Sequence, residues 1–306
     1  MIKTRTKTGP KHGHLLGIKV SSTSRPKVLK FVRERLKTKE KFYIVTPNPE
    51  IVLMAMKDWL LKKAIFRSDL SVPDGIGLAQ ARKYLSLPDP QGLSRLFELL
   101  YQGYQVAIAT FNNREWLTKD FEVIKGRELF FDIVKIADEN KLNVYLFGGE
   151  NGEQEIAMEL LKKRFPNITF KTHYKFPNYT LKGQPATVED RRLHKKILGS
   201  IKLFEPDLVF VAMTPPKQEK WIFRNFFRLR ATGAMAVGGT FNFVSGNSKL
   251  PPVWMAKSGL EWVWRLINEP YRYKRVFNAF PKFPWTVFVA KLKRRKFEAT
   301  YSVVEK

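Results

Sequence analysis

Phe42-Tyr-Ile-Val-Thr-Pro-Asn-Pro-Glu50, taken with Val72-Pro-Asp-Gly-Ile-Gly77, is the stretch from which the rest of the chain is read. Four apolar residues, 42–45, stop abruptly at a turn signal, which is the pattern of a short buried strand. Thr46-Pro-Asn-Pro-Glu50 is that turn and also a helix start. Asn48 suits the N-cap, and Pro49 suits the first helical position, where a missing N–H costs nothing. Apolar residues from Ile51 to Ile65 predict one buried helix. A second short apolar piece then ends at Asp74-Gly75. Strand, helix and strand make a βαβ unit with a carboxylate at a strand's C-terminal edge, where open α/β sheets bind their ligands. The same aspartate also fits as the cap of a helix beginning near Gly75.

Composition narrows the class. A chain of 306 residues holds one large α/β domain with an appendage, or two small domains. With 55 Lys and Arg against 28 Asp and Glu, the surplus favours a polyanionic partner: nucleic acid, an acidic membrane face or a phosphorylated substrate. The absence of cysteine excludes thiol catalysis, disulfides and cysteine-bound metal. No stretch approaches the roughly 18 consecutive apolar residues of a membrane span. The basic N-terminus has no apolar run after it, so no signal peptide is expected.

Taken in order, residues 1–13 are basic and expected to be mobile, and His12 and His14 lack further metal ligands nearby. Residues 15–20 read as a first strand and residues 24–36 as an amphipathic helix. After a helix over 79–85 the texture changes. Residues 93–100 look helical and 106–109 strand-like, and residues 86–122 are read as an insertion or lid without catalytic signature. Helices are expected over 129–137, 156–165 and 188–204, and strands over 144–147, 168–173 and 207–213. Gly148-Gly-Glu-Asn-Gly152 is a strand-to-helix turn of the kind that brings N–H groups to a phosphate. It lacks the G-x-G-x-x-G spacing of a dinucleotide site, and a plain tight turn explains it equally. Lys217 opens the helix after Thr214-Pro-Pro, where a cation opposes the macrodipole and makes more sense beside an anion. Gln218 and Glu219 suit sugar hydroxyls or, alternatively, a capping pair. A last strand and glycine turn occupy 234–246. This alternation predicts a mostly parallel, doubly wound, Rossmann-like α/β sheet.

Charge concentrates in the tail, where residues 249–297 hold 12 Lys or Arg against two acids, with aromatic residues interleaved. Arg265, Arg272 and Arg275 lie 7 and 3 apart, so helical segments place them on one side, where three guanidiniums would clamp a diphosphate. A basic, aromatic-rich appendage also suits anionic lipid or single-stranded nucleic acid, although no nucleic-acid-binding motif is present.

The motifs at Val45-Thr-Pro-Asn-Pro-Glu50, Val72-Pro-Asp-Gly-Ile-Gly77, Leu146-Phe-Gly-Gly149, Asp207-Leu-Val-Phe-Val211, Pro216-Lys-Gln-Glu-Lys-Trp221, Val237-Gly-Gly-Thr-Phe241 and Leu260-Glu-Trp-Val-Trp-Arg-Leu266, in that order, resemble the WecG/TagA/CpsF glycosyltransferases. The likeness runs from about Leu15 to Phe277, apart from a longer stretch near 86–122. It implies inverting transfer of a sugar, typically of the N-acetylmannosamine type, from a UDP-sugar to polyprenyl-diphosphate-linked N-acetylglucosamine in wall or surface polymer synthesis. By the resemblance Asp74 is the general base, Thr46 stands with it as a catalytic residue, Thr46 and Asn48 line the pocket, and Gln218 contacts substrate. Arg265, Arg272 and Arg275 close over the donor diphosphate at the membrane. The binding set is completed by Lys217, Gly148, Gly149 and Gly239. Asn242 and Lys249 depart from the family's usual Asp and Arg, which bears on sugar specificity.

The expected organisation is a basic N-terminus (1–13), a glycosyltransferase domain (14–248) and a membrane-proximal appendage (249–306). The expected location is the cytoplasm, peripheral on the inner face of the cytoplasmic membrane. No D-x-D pair is available to hold a divalent ion, so the arginines are expected to neutralise the leaving group without metal or other cofactor. The partners expected are a UDP-sugar, a lipid-linked acceptor and an anionic membrane, with a homo-oligomer left open and no specific nucleic acid. The rivals are a nucleic-acid-binding α/β protein and a nucleotide-sugar enzyme without a lipid acceptor.

Overall fold

The alternating strands and helices resolve into a six-stranded, all-parallel sheet in a computed structural model that describes residues 12–119, 121–149 and 152–294. The chain opens with a hairpin, β1 (His12–Leu15) and β2 (Ile18–Ser21), and continues through β3 (Phe42–Val45), β4 (Leu70–Ser71), β5 (Asn143–Gly148), β6 (Thr169–Thr172), β7 (Leu208–Ala212) and β8 (Gly233–Ala236). Across the sheet the order is β4-β3-β8-β7-β5-β6.

Both faces are buried, and the strand sequences show why they carry continuous apolar runs. Tyr43, Val45, Tyr145, Phe147, Val209 and Val211 join one core. Phe42, Ile44, Val144, Leu146, Leu208 and Phe210 join the other. Helices Pro49–Lys57, Trp59–Arg67, Ile76–Ser86 and Lys217–Asn225 contribute to the first core. Helices Arg25–Thr38, Gly126–Glu139 and Glu153–Arg164 contribute to the second.

The hairpin covers the β4 edge, where the Ser71 N–H donates to Ser21 Oγ at 2.9 Å and Ser71 Oγ donates to the Lys19 carbonyl at 2.8 Å. An edge so covered is closed to pairing with other chains.

Three local expectations are corrected. Residues 15–20 are not one strand. Leu16 and Gly17 take φ values of 52° and 75°, which turns the chain through a two-residue hairpin loop hidden inside an apolar run. Residues 106–109 lie within helix Arg95–Asn112, not in a strand. Leu99, Val106 and Ala109 share that helix's buried face, and four apolar residues in a row cannot by themselves distinguish the two states. The single helix expected over 51–65 breaks at Asp58. Asp58 caps the second helix by accepting from the Leu61 N–H at 3.1 Å, and it also pairs with buried Lys220.

At the N-terminus, residues 1–11 lie outside the described residues, whereas His12 and Gly13 belong to β1. His12 is held by Ser21 Oγ at 3.1 Å, and burial, with Lys19 and His14 nearby, lowers its pKa from 6.5 to about 4.

Within residues 86–122, helices Arg95–Asn112 and Arg114–Thr118 pack with helix Ile76–Ser86, and the first also meets helix Phe283–Leu292 near the C-terminus. That last helix buries Phe283, Val287 and Ala290 in the core. Its Lys291 donates to the Tyr84 and Leu87 carbonyls and to Gln102 Oε1, at 2.6, 3.0 and 2.7 Å. Within the basic tail, helix Phe283–Leu292 is therefore tied to the helical layer that includes the extra segment. Among the described residues no helix is long and apolar enough to cross a membrane.

β5 ends on Gly148, whose φ is 99° and where an added Cβ would lie 2.1 Å from the Ala212 carbonyl oxygen. The obstacle is backbone of the neighbouring strand, so it cannot swing away. Gly148→Ala is expected to cost about 3 kcal/mol or more in denaturant unfolding. Wild-type stability would show that β5 and β7 can separate there.

Candidate active site

The parallel strands place their C-terminal ends on one side, and the loops that follow them build the site there. β3 runs into Thr46 and β4 into Asp74. The two loops are stitched together where the Val72 N–H donates to the Val45 carbonyl and the Asp74 N–H to the Pro47 carbonyl, both at 2.9 Å. On the far side of this pair, the Ile124 N–H donates to the Pro73 carbonyl at 3.0 Å, which brings the start of helix Gly126–Glu139 alongside. Gly126 packs closely here, since an added Cβ would lie 3.1 Å from Thr46 Oγ1 and push that side chain by a few tenths of an ångström.

Asp74 does not cap the following helix. Gly75 is the cap residue of Ile76–Ser86, and no side chain accepts a hydrogen bond there. Burial instead raises the Asp74 pKa from 3.8 to about 6. Arg265 is the largest opposing influence, the Gly126 N–H and Lys125 also oppose it, and Glu261 adds to the rise. Asp74 itself is half-buried, and its carboxylate is not used as a cap.

Arg265 comes from helix Glu261–Asn268 of the C-terminal segment, which Glu261 ties to Lys125 and Arg127 at the start of helix Gly126–Glu139. Its guanidinium donates to Glu261 Oε1 at 3.2 Å and stands 5.0 Å from the Phe243 ring centre. Glu261 in turn meets Lys125 at 3.2 Å and Arg127 at 3.5 Å. Arg275 lies farther along the same edge, with Nε donating to buried Glu50 at 2.9 Å. Glu50 is the second residue of helix Pro49–Lys57, whose cap Asn48 accepts from the Ile51 N–H at 2.9 Å. The side chain of Arg272 lies outside the described residues.

Gln218 and Glu219 are not a capping pair either. Gln218 Oε1 accepts from the Gly238 N–H and its Nε2 donates to Glu219 Oε1, both at 2.8 Å. The pair thus ties helix Lys217–Asn225 to the turn after β8. Glu219 is 1% exposed, and its other carboxylate oxygen has no hydrogen-bond partner among the described residues. Burial raises its pKa from 4.5 to about 7, against Gln218, Arg275 and Lys220. Lys217 is half-buried at the start of the helix.

The Gly149 N–H donates to the Ala212 carbonyl at 2.8 Å, so this amide is spent on the sheet. Gly239 is exposed in the turn that leads to helix Thr240–Val244. Among the described residues no three His, Asp or Glu side chains are grouped as a metal site requires.

The structure therefore gathers Thr46, Asn48, Asp74 and Arg265 at the β3–β4 end and Gln218 and Arg275 along the adjoining edge. Sequence reasoning passed over Lys125, Gly126, Arg127, Glu219 as a buried acid, and Glu261. The usable signal was Lys125-Gly-Arg127, a glycine between two cations at a helix start, directly after a segment judged inert.

A sequence model of the glycosyl transferase WecG/TagA/CpsF family matches residues 13–110 and 113–297. Among curated proteins, the chain is similar to N-acetylglucosaminyldiphosphoundecaprenol N-acetyl-beta-D-mannosaminyltransferase from Staphylococcus aureus strain MW2. The identity is 30% over 254 residues, 83% of this chain and 82% of the relative. The protein of the same name from Bacillus subtilis strain 168 is 30% identical over 258 residues, 84% of this chain and 82% of the relative.

Because the folded protein holds the Glu219 proton more tightly than the unfolded chain, the stability it lends is full below about pH 4.5. It is lost as pH rises to about 7, by up to about 3 kcal/mol. Glu219→Gln, compared with wild type by denaturant unfolding, is expected to be similar at pH 4.5 and clearly more stable at pH 8. A difference that stays constant across that range contradicts this account.

Proposed function

The chain belongs to the WecG/TagA/CpsF family of glycosyltransferases, and on that premise we propose that it moves an N-acetylmannosamine-type sugar from a UDP-sugar to polyprenyl-diphosphate-linked N-acetylglucosamine. Transfer inverts the anomeric configuration and takes place at a membrane surface, as a step in making a wall or cell-surface polymer. The observation that carries this reading is Asp74, a half-buried carboxylate at the sheet's C-terminal edge whose charged form burial disfavours and Arg265 from the C-terminal segment favours. Support for the substrates comes from the curated relatives, whose names specify both a diphosphate-linked acceptor and a mannosaminyl group.

In the proposed reaction Asp74 takes the proton of the acceptor hydroxyl. The acceptor oxygen forms a bond to the anomeric carbon while the bond from that carbon to the UDP oxygen breaks, its electron pair leaving with UDP. A base whose pKa lies near 6 is ionised at neutral pH yet still close enough to it to accept a proton well. Thr46 and Asn48 line the acceptor side of the pocket. Arg265 and Arg275, with Arg272, take up the charge that develops on the leaving diphosphate. Arg265 and Arg275 are engaged with Glu261 and Glu50, so a diphosphate would compete with those carboxylates for them. The exposed aromatic residues Trp254, Tyr271, Tyr273, Phe277, Phe280 and Trp285, set among lysines and arginines, suit an anionic bilayer surface.

Asp74→Asn is expected to lower transfer by about 10²–10⁴-fold while UDP binding is retained. Turnover like that of wild type would remove Asp74 from the mechanism. The acid limb of kcat/KM for the wild-type enzyme is expected to fall with an apparent pKa near 6, because protonation below that value removes the base. EDTA is expected to leave turnover unchanged, and loss restored by Mn²⁺ would assign the leaving-group charge to a metal instead.

A further inference from the structure

Lys125, Arg127 and Arg265 surround one carboxylate, Glu261, at 3.2, 3.5 and 3.2 Å. Three cations against one anion leave a surplus of two positive charges. An ionised Asp74 lowers it to one. Glu128, at the rim of the same region, meets Arg25 at 3.3 Å, but Arg25 is held chiefly by Asp132, at 2.6 and 2.8 Å. Displacing Glu261 would leave Lys125, Arg127 and Arg265 facing a ligand together. The cluster is also fixed in place, since Arg127 and Arg265 stand 4.7 and 5.0 Å from the centre of the same Phe243 ring. The side chains of Lys125 and Arg127 are 28% and 17% exposed, so their mutual repulsion is less screened than that of fully exposed cations.

Beside the cluster is an open cleft of about 380 Å³, lined by Arg114, Lys125, Arg127, Glu128 and the apolar residues Leu250, Pro251 and Val253. Burial acts to raise the pKa of Glu261, and Arg265, Lys125 and Arg127 outweigh it, so Glu261 is held as an anion below its ordinary range. A fixed anion already sits where the cations converge, and an open basic cleft adjoins it.

We infer that Lys125 and Arg127, with Arg265, form a diphosphate-binding subsite in this cleft, and that the Glu261 carboxylate fills the anion position until substrate displaces it. The inference rests on the proposed reaction for its ligand class, because both the donor and the lipid acceptor of that reaction carry a diphosphate. Apolar Leu250 and Val253 at the cleft, 59% and 70% exposed, are compatible with either a nucleotide base or a prenyl chain, so the shared group is what the site is built to hold.

Titration calorimetry of the full chain with inorganic pyrophosphate, UDP and farnesyl diphosphate, at one low ionic strength, tests the assignment. The Lys125→Ala/Arg127→Ala double variant is expected to bind pyrophosphate at least ten-fold more weakly. Whichever of UDP and farnesyl diphosphate shares that loss is the substrate served. Arg127→Lys, which keeps the charge, should stay within about three-fold of wild type and so separates lost binding from lost folding. Glu261→Gln is expected to tighten pyrophosphate binding three-fold or more, since it removes the internal competitor. If Lys125 and Arg127 only moored the helix through Glu261, that variant would weaken binding. Weakening by Glu261→Gln, or unchanged binding in the double variant, overturns the inference. Pyrophosphate binding needs no glycosyl transfer, so absence of transfer with every donor tried would defeat the functional reading and leave the subsite standing.

Discussion

Two backbone hydrogen bonds, from the Val72 N–H to the Val45 carbonyl and from the Asp74 N–H to the Pro47 carbonyl, hold the ends of the two shortest neighbouring strands in register. The placement of the site residues depends on that register. β4 contributes only two residues to the sheet, and side chains alternate along a strand. A slip by one position would turn Asp74 away from Thr46 and from the helix that begins at Gly126. The register is enforced from the outside by the β1–β2 hairpin through Ser21 and Ser71, and from the far side by Ile124 donating to Pro73. The start of the chain thus stabilises the placement of its central acid.

With the acid so placed, electrostatics decide its state. Burial raises the Asp74 pKa and the cations brought over it lower it, leaving a value of about 6 rather than a protonated carboxyl at neutral pH. The C-terminal segment supplies the largest opposing charge, Arg265, and is held at two points. Glu261 anchors it to Lys125 and Arg127, and helix Phe283–Leu292 is buried against the layer formed by helices Ile76–Ser86 and Arg95–Asn112. Through Lys291 and Gln102, the longer stretch near 86–122 supports this helix.

Much of this could be read directly from residue order. The βαβ unit around Thr46 and Asp74 was legible because Asn48-Pro49 is a strong helix start and because residues 42–45 are apolar on both faces, as a doubly covered parallel strand must be. The basic helix over 188–204 was legible from its period. What failed were places where a short-range signal has two solutions. The turn at Leu16-Gly17 was masked by apolar neighbours. Val106 and Ala109 look like a strand until Leu99 is seen on the same face. Asp58 was read as an interior helix residue because its partner, Lys220, is 162 positions away. The charges around Asp74 were hidden for the same reason. Lys125, Arg127 and Glu261 meet only because the fold brings a helix start and the C-terminal segment to one edge.

Burial raises the proton affinity of the Asp74 carboxylate, and Arg265 restrains it. Carbon-13 NMR titration of the Asp74 carboxyl in the free protein measures this directly. The account predicts a midpoint near 6 in the wild type and a higher one in Arg265→Ala, since Arg265 is the principal group opposing the rise. A midpoint at the ordinary aspartate value, unmoved by loss of Arg265, would contradict it.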